Sequence, residues 1–299
     1  MLSRRFLAAA FGAATLIGAA GLAVLPGAAS AGAAASGRVT AHPVAAANIA
    51  SPGGPIVPAT VPGHATAQAA GQKFSVAMTS LNWSGFAVTS SKKFTYAQSR
   101  FVQPTLTCPG DHANEWSSNW VGLDGFNNTT VEQDGTAATC GGTSHTTPVY
   151  TAWYEMYPAG SVNVFSVTPG DTINISVSFS NSKFTLTVAD LTSGKSSTHT
   201  AKCASCKRAS AEWIVERPEL CSSATNCFLA HLADFGTTQM SAKVRVAGVS
   251  AAQGIPNFRN YNITMFDTAN TQLDSVGKVS SNAFPATWLA GGNTVIPSG

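Results

Sequence analysis

Two stretches of the chain set a glutamate among large aromatic residues: Tyr150-Thr-Ala-Trp-Tyr-Glu155-Met-Tyr-Pro158 and Ala211-Glu212-Trp-Ile-Val-Glu216-Arg-Pro218. An acid in such surroundings is partly desolvated, which lifts a carboxyl pKa toward values useful in general acid–base chemistry. Hydrolysis is the reaction class this suits, with one group activating water and then protonating the leaving atom. Three other readings fit the same residues. Either glutamate can be an edge-strand partner of a base such as Arg217. Glu155 and Glu216 can be the acid and nucleophile of a glycosidase, roughly 5–5.5 Å apart if the enzyme retains configuration. The tryptophans can also be stacking platforms of a non-catalytic carbohydrate-binding sandwich. Other standard machinery is missing: the sequence has no Gly-x-Ser-x-Gly, Asp-Thr-Gly, Asp-Ser-Gly, His-Glu-x-x-His or phosphate-cradling Gly-Lys-Ser/Thr. His112, His145, His199 and His231 are too scattered for a zinc site. No metal or cofactor is expected.

The elements that must carry these residues read as strands. In an extended chain side chains alternate, so Trp153 and Glu155 share a face opposite Tyr154 and Met156. Likewise Glu212, Ile214 and Glu216 lie opposite Trp213 and Val215. Ile173, Ile175, Val177 and Phe179 alternate with polar residues, Ser180–Lys183 turns, and Phe184, Leu186 and Val188 alternate again, which predicts a hairpin. Further short strands are expected at Gly85–Thr89, Asn119–Leu123, Tyr150–Met156, Trp213–Glu216 and Ala242–Val249. No segment keeps a helical period over three turns. The expectation is one all-β domain over residues 76–299, an antiparallel two-sheet β-sandwich.

Ahead of it, Met1–Arg5 is basic, Phe6–Leu25 is apolar and Ala29-Ser-Ala31 offers small residues for cleavage, the pattern of a signal peptide over residues 1–31. Residues 32–75, rich in Ala, Gly, Pro and Ser, read as a low-complexity pro-segment or linker. Only 10% of the 299 residues are charged, against roughly 25% in an average domain. The formal +3 is unevenly placed: Arg4, Arg5, Arg38 and Lys73 precede residue 76 with no acid, and 13 bases face 14 acids after it. A nucleic-acid surface therefore loses its footprint. The four leader bases suit docking on an acidic cleft. Six cysteines after the leader fit an oxidising exterior, and Cys108–Cys140, Cys203–Cys206 and Cys221–Cys227 would each bracket one loop. The expected product is secreted and extracellular, monomeric, and free of the membrane once processed.

Asn82-Trp-Ser-Gly85, Trp120-Val-Gly-Leu-Asp-Gly125, Val131-Glu-Gln-Asp-Gly135, Ala152-Trp-Tyr-Glu-Met-Tyr-Pro158 and Ala211-Glu-Trp-Ile-Val-Glu216 occur in this order. Together they resemble the secreted glutamic peptidases, or eqolisins. The resemblance implies a concanavalin-like β-sandwich and an acid-active, metal-independent endopeptidase that takes polypeptide substrates. Carried over motif by motif, it implies a catalytic dyad of Gln133 and Glu216. Trp120, Asp124, Trp153 and Glu155 are implied to bind substrate. Glu216 would act as base on water and then as acid, with Gln133 stabilising the oxyanion. Two positions depart from the pattern: Asp134 follows the glutamine where the family has a neutral residue, and Arg217-Pro-Glu219 replaces a strongly acidic stretch of the fungal members.

Overall fold

The computed structural model describes residues 49–51, 54–59, 75–223 and 226–294, and the signal-peptide reading falls outside them. One sheet runs, in spatial order, Ser75–Ser80, Arg259–Met265, Trp83–Thr89, Ser210–Glu216, Glu115–Leu123, Val131–Gly141, Thr147–Tyr157 and Val162–Ser166. His231–Leu232 adds a ninth strand alongside Glu115–Leu123. A second sheet runs Ser196–Ala201, Lys183–Asp190, Thr172–Ser180, Phe94–Val102 and Lys243–Val246. Pairing is antiparallel throughout these two sheets except at Ser75–Ser80 and His231–Leu232. Helical structure among the described residues is a single 3-10 turn, Ile255–Asn257.

The two sheets stack on a core that includes Phe86, Val121, Trp213 and Val215 from the first and Phe101, Ile173, Ile175, Val177, Phe184, Leu186 and Val188 from the second. The hairpin forms as its alternation predicts, with Phe179 opposite Phe184 and Val177 opposite Leu186. Ala242–Val249 contracts to Lys243–Val246, where the register shifts at Arg245/Val246. Two three-stranded sheets flank the sandwich and have no counterpart in the sequence reading: Ile49–Ser51, Glu219–Ser223 and Asn226–Leu229 form one, and Thr237–Ser241, Ala283–Trp288 and Asp274–Val276 the other. The cysteines pair as Cys108–Cys140, Cys203–Cys206 and Cys221–Cys227.

The other face of the nine-stranded sheet carries its own apolar cluster: Trp83, Ala87, Trp120, Val131, Ala137, Trp153, Ile214 and Ile263. Strand alternation separates it from the core, so the Trp153 and Ile214 side chains lie opposite Tyr154 and Trp213. Burial on both faces explains the almost continuous buried pattern of Trp83–Val88 and Ser210–Glu216. The candidate residues Trp120, Gln133, Trp153, Glu155 and Glu216 sit on this second face.

Candidate active site

Glu216 ends a central strand, registered to Trp83 on one neighbour and Ser118 on the other. The strand is not an edge, which disposes of the surface salt-bridge reading. Arg217 is buried and points elsewhere: Nε donates to the Leu81 carbonyl at 2.5 Å and Nη1 to the Asn293 carbonyl at 2.7 Å. Burial pulls its pKa down to about 10.

Both carboxyl oxygens of Glu216 are held. Trp120 Nε1 donates to Oε2 at 2.7 Å, and Asn82 Nδ2 donates to Oε1 at 3.2 Å. Trp120 reaches this position because its neighbours lack side chains. A Cβ on Gly135 would lie 2.7 Å from Trp120 Cβ, and one on Gly122 would lie 3.0 Å from its Cζ3. Trp83 closes on the Trp120 ring edge-on, with centroids 4.9 Å apart. Burial pushes the Glu216 pKa well above the ordinary carboxylate range; the charge of Glu155 adds to this, and the Trp120 and Asn82 hydrogen bonds oppose it.

Gln133 and Glu155 face each other across adjacent strands, and Gln133 Nε2 donates to Glu155 Oε2 at 2.7 Å. Both are fully buried. Gly122 lies in register with both Gln133 and Glu212, so Glu212, Gly122, Gln133 and Glu155 form one row across four strands. Trp120, Gly135 and Trp153 share the next row. The geometry thus makes two small clusters on one face, Gln133–Glu155 and Asn82–Trp120–Glu216. The electrostatic effect of Glu155 on Glu216 links them.

Asp124, expected to bind substrate, is turned away instead. It sits at φ 71°, a left-handed conformation that Asp tolerates, and its carboxylate accepts backbone N–H groups from Lys207 at 2.7 Å, Arg208 at 2.5 Å and Ala209 at 2.7 Å. Asn128 Nδ2 donates to it at 2.8 Å. Asp124 ties a loop to the end of a strand. Glu132 is pushed up to about 9, by burial first and then by the neighbouring Asp124 carboxylate, so Glu132 keeps its proton. Asp134 also lies on the face opposite Gln133, fully buried, with its pKa raised by desolvation. It does not enter the site.

Asn82 is a candidate site residue to which the sequence assigns no role. Asn82-Trp-Ser84 reads as a glycosylation sequon, yet the side chain is 2% exposed and directed at Glu216. Its place at the head of an Asn-Trp-Ser-Gly motif was the available signal. Among the described residues two clusters have metal-ligand spacing, Glu132/Cys203/Cys206 and Glu219/Cys221/Cys227, but all four cysteines are in disulfides and offer no thiolate.

Residues 81–285 match the model of the Peptidase A4 family. Among solved structures, scytalido-glutamic peptidase with a transition state analog inhibitor is similar over 70% of this chain and 98% of its own, at 23% identity and TM-score 0.60. SCP-B, a member of the eqolisin family of peptidases in complex with the tripeptide Ala-Ile-His, covers the same shares at 22% identity and TM-score 0.59. These likenesses show a shared β-sandwich fold. No curated protein matches the sequence.

Proposed function

The chain belongs to the Peptidase A4 (eqolisin) family and is a glutamic-type peptidase, and we propose that it is an acid-active endopeptidase working through Glu216 and Gln133. The observation that carries this reading is the double grip of Trp120 and Asn82 on Glu216, on the same sheet face as the Gln133–Glu155 pair. Two donors on two oxygens fix the carboxyl group so that one oxygen can take a proton from water and later hand it to the leaving amine nitrogen. The Gln133 amide carries two N–H donors, one of them directed to Glu155. The amide suits an oxyanion in the tetrahedral intermediate, a role worth roughly 3–4 kcal/mol for a single donor.

Acid activity follows from the coupling of Glu155 and Glu216. The Glu155 charge disfavours ionisation of Glu216 in a buried setting, and the catalytic form we propose carries one negative charge on the two carboxyl groups. A second charge would repel the developing oxyanion. Activity therefore falls as pH rises through the pair's second ionisation. Polypeptides are the substrates of the family. Secretion, removal of a leader ending near Ala31 and a monomeric mature enzyme belong to the same proposal.

The test is cleavage of denatured casein between about pH 2 and pH 5. Gln133→Ala should lose about 10²–10³ in kcat, and Glu216→Gln should fall to background. Full activity in either variant removes the dyad. No cleavage by the wild type removes the acid-endopeptidase reading.

A further inference from the structure

Residues 54–59, Gly-Pro-Ile-Val-Pro-Ala, belong to the stretch whose composition reads as a linker, yet they lie against the site face, with Pro58 in an isolated antiparallel bridge to Ser80. Seven of the ten main-chain N–H and C=O groups of the segment are taken. Trp83 Nε1 donates to the Gly54 carbonyl at 3.1 Å, and Asn82 Nδ2 donates to the Pro55 carbonyl at 3.1 Å. The Ile56 N–H reaches the Gly125 carbonyl at 3.4 Å, and the Val57 N–H reaches Asn82 Oδ1 at 2.8 Å. The Val57 carbonyl accepts from the Leu81 N–H at 2.8 Å and from Ser80 Oγ at 2.9 Å. The Ala59 N–H donates to the Thr79 carbonyl at 3.1 Å, and Thr79 Oγ1 donates to the Ala59 carbonyl.

One side chain anchors the segment. Ile56 packs on the cluster that holds Trp83, Trp120 and Trp153. The segment carries no charge, so its docking owes nothing to the four leader bases. Asn82 is the hinge of the arrangement, because one amide serves the Pro55 carbonyl, the Val57 N–H and the Glu216 carboxyl group together. Recognition of N–H and C=O groups with a single apolar anchor is how an extended peptide is bound whatever its sequence.

We propose that Asn82, Trp83 and the Gly125 carbonyl form a peptide main-chain subsite adjoining Glu216, and that residues 54–59 occupy it as a tethered ligand. This rests on the peptidase reading of the same face and adds where a substrate backbone is held. A substrate strand enters by displacing the segment and takes over the same partners. Two of the five peptide bonds inside the segment, Gly54–Pro55 and Val57–Pro58, have no N–H, and the occupant makes its contacts without them. Asn82 acts as a positioning residue for Glu216 and as a binding residue for the peptide.

The test uses the full chain with Ile56→Asp, Ile56→Val as the conservative control, and the free hexapeptide Gly-Pro-Ile-Val-Pro-Ala as probe. Ile56→Asp should raise the initial rate on casein by about tenfold, since a tethered ligand competes at an effective concentration near the millimolar range. Ile56→Val should behave as wild type. Added hexapeptide should raise the KM of the Ile56→Asp chain with kcat unchanged, and should shift tryptophan fluorescence saturably. Equal initial rates in wild type and Ile56→Asp, with no competition by the hexapeptide, overturn the proposal. Fluorescence needs no turnover, so a chain that binds the hexapeptide but cleaves nothing sinks the peptidase reading and keeps the subsite. Should Ile56→Asp not fold, Ile56→Ala with the same readouts decides in the same way.

Discussion

On one face of the nine-stranded sheet Glu216 is buried and held by Trp120 and Asn82; on the opposite face Asp134 is equally buried, in the layer between the sheets. Desolvation is the largest cause of the raised pKa in both. What separates them is company. Glu216 has side-chain donors on both oxygens, an acidic neighbour in Glu155 and, through Asn82, a link to residues 54–59. Asp134 faces a packed sheet, where its opposing influences are the backbones of Ser176 and Thr187. A perturbed carboxyl marks chemistry where donors and substrate can reach it. Elsewhere it marks an acid that folds neutral. Glu212 is the intermediate case: it shares a strand and a face with Glu216, but neither of its buried oxygens has a hydrogen-bond partner among the described residues, and its acidic neighbours are Asp124 and Glu132.

The sharpest way to break this comparison is to neutralise each acid without changing its shape. Glu216→Gln should cost at least about 10²–10⁴ in kcat, the range for a general acid–base group. Asp134→Asn should leave kcat/KM within about threefold, because no transition-state contact is removed. Casein turnover by both variants at one acid pH decides it. A large loss in Asp134→Asn would erase the distinction between the two faces.

The neutral acids also set the response of stability to pH. Glu132, with its pKa raised to about 9, keeps its proton in the folded state while the unfolded chain releases it above about pH 4.5. The unfolded state then binds fewer protons, so stability falls as pH rises. The contribution is fully present below about pH 4.5, drains away toward pH 9 and is flat above it. Asp274, raised to about 7, adds a second loss between about pH 4 and 7. Denaturant melts at pH 4 and pH 8 should differ by several kcal/mol in favour of acid. Glu132→Gln should shrink that difference; an unchanged difference would mean Glu132 is not the neutral acid. A chain with few ionised groups to lose, and several acids folded neutral, is matched to an acidic medium.

Asp124 offers the contrasting case, a buried acid whose two oxygens are taken up by donors. Three backbone N–H groups converge on it, and Asp124→Asn replaces a charged acceptor with an amide that must turn an N–H toward donors. The expected cost is about 2–3 kcal/mol, since hydrogen bonds to charged groups are worth roughly 1.5–3 kcal/mol each and some will re-form. Proteolysis and hydrogen exchange at Lys207–Ala209 would locate the loss. If activity collapsed while the loop stayed protected, Asp124 would belong to the cleft after all.

How far the sequence reaches follows from the kind of pattern involved. Period-two alternation placed Glu155 with Trp153 and Glu216 with Ile214 on the correct faces, because pleating alone decides that. Asn82 was hidden because its meaning lies in a partner 134 residues away. The Asp124 motif gives its position but not its left-handed backbone or the 207–209 N–H groups its carboxylate accepts, so its contacts are not legible in the sequence. Residues 54–59 looked like a linker because their recognition runs through the main chain, which carries no compositional signal. Proline-spaced, uncharged segments of this kind fit a linker and a tethered ligand equally well until their hydrogen-bond partners are seen.

The finest contrast is between two tryptophans in one row, Trp120 and Trp153, each in register with Gly135. Trp120 Nε1 is committed to Glu216, whereas Trp153 Nε1 is fully buried with no partner among the described residues. A buried donor without an acceptor costs free energy unless something supplies one, and on the proposed substrate-binding reading of Trp153 that acceptor is a substrate carbonyl. Trp120→Phe should lower kcat about tenfold by releasing one grip on Glu216. Trp153→Phe should leave kcat alone and raise KM about three- to tenfold, since it removes binding common to substrate and transition state. Neither change deletes the aromatic packing outright, so the split between kcat and KM reads the two indole N–H groups. If both variants moved the same parameter, the two rings would be doing one job, and the unsatisfied donor of Trp153 would have no place in substrate binding.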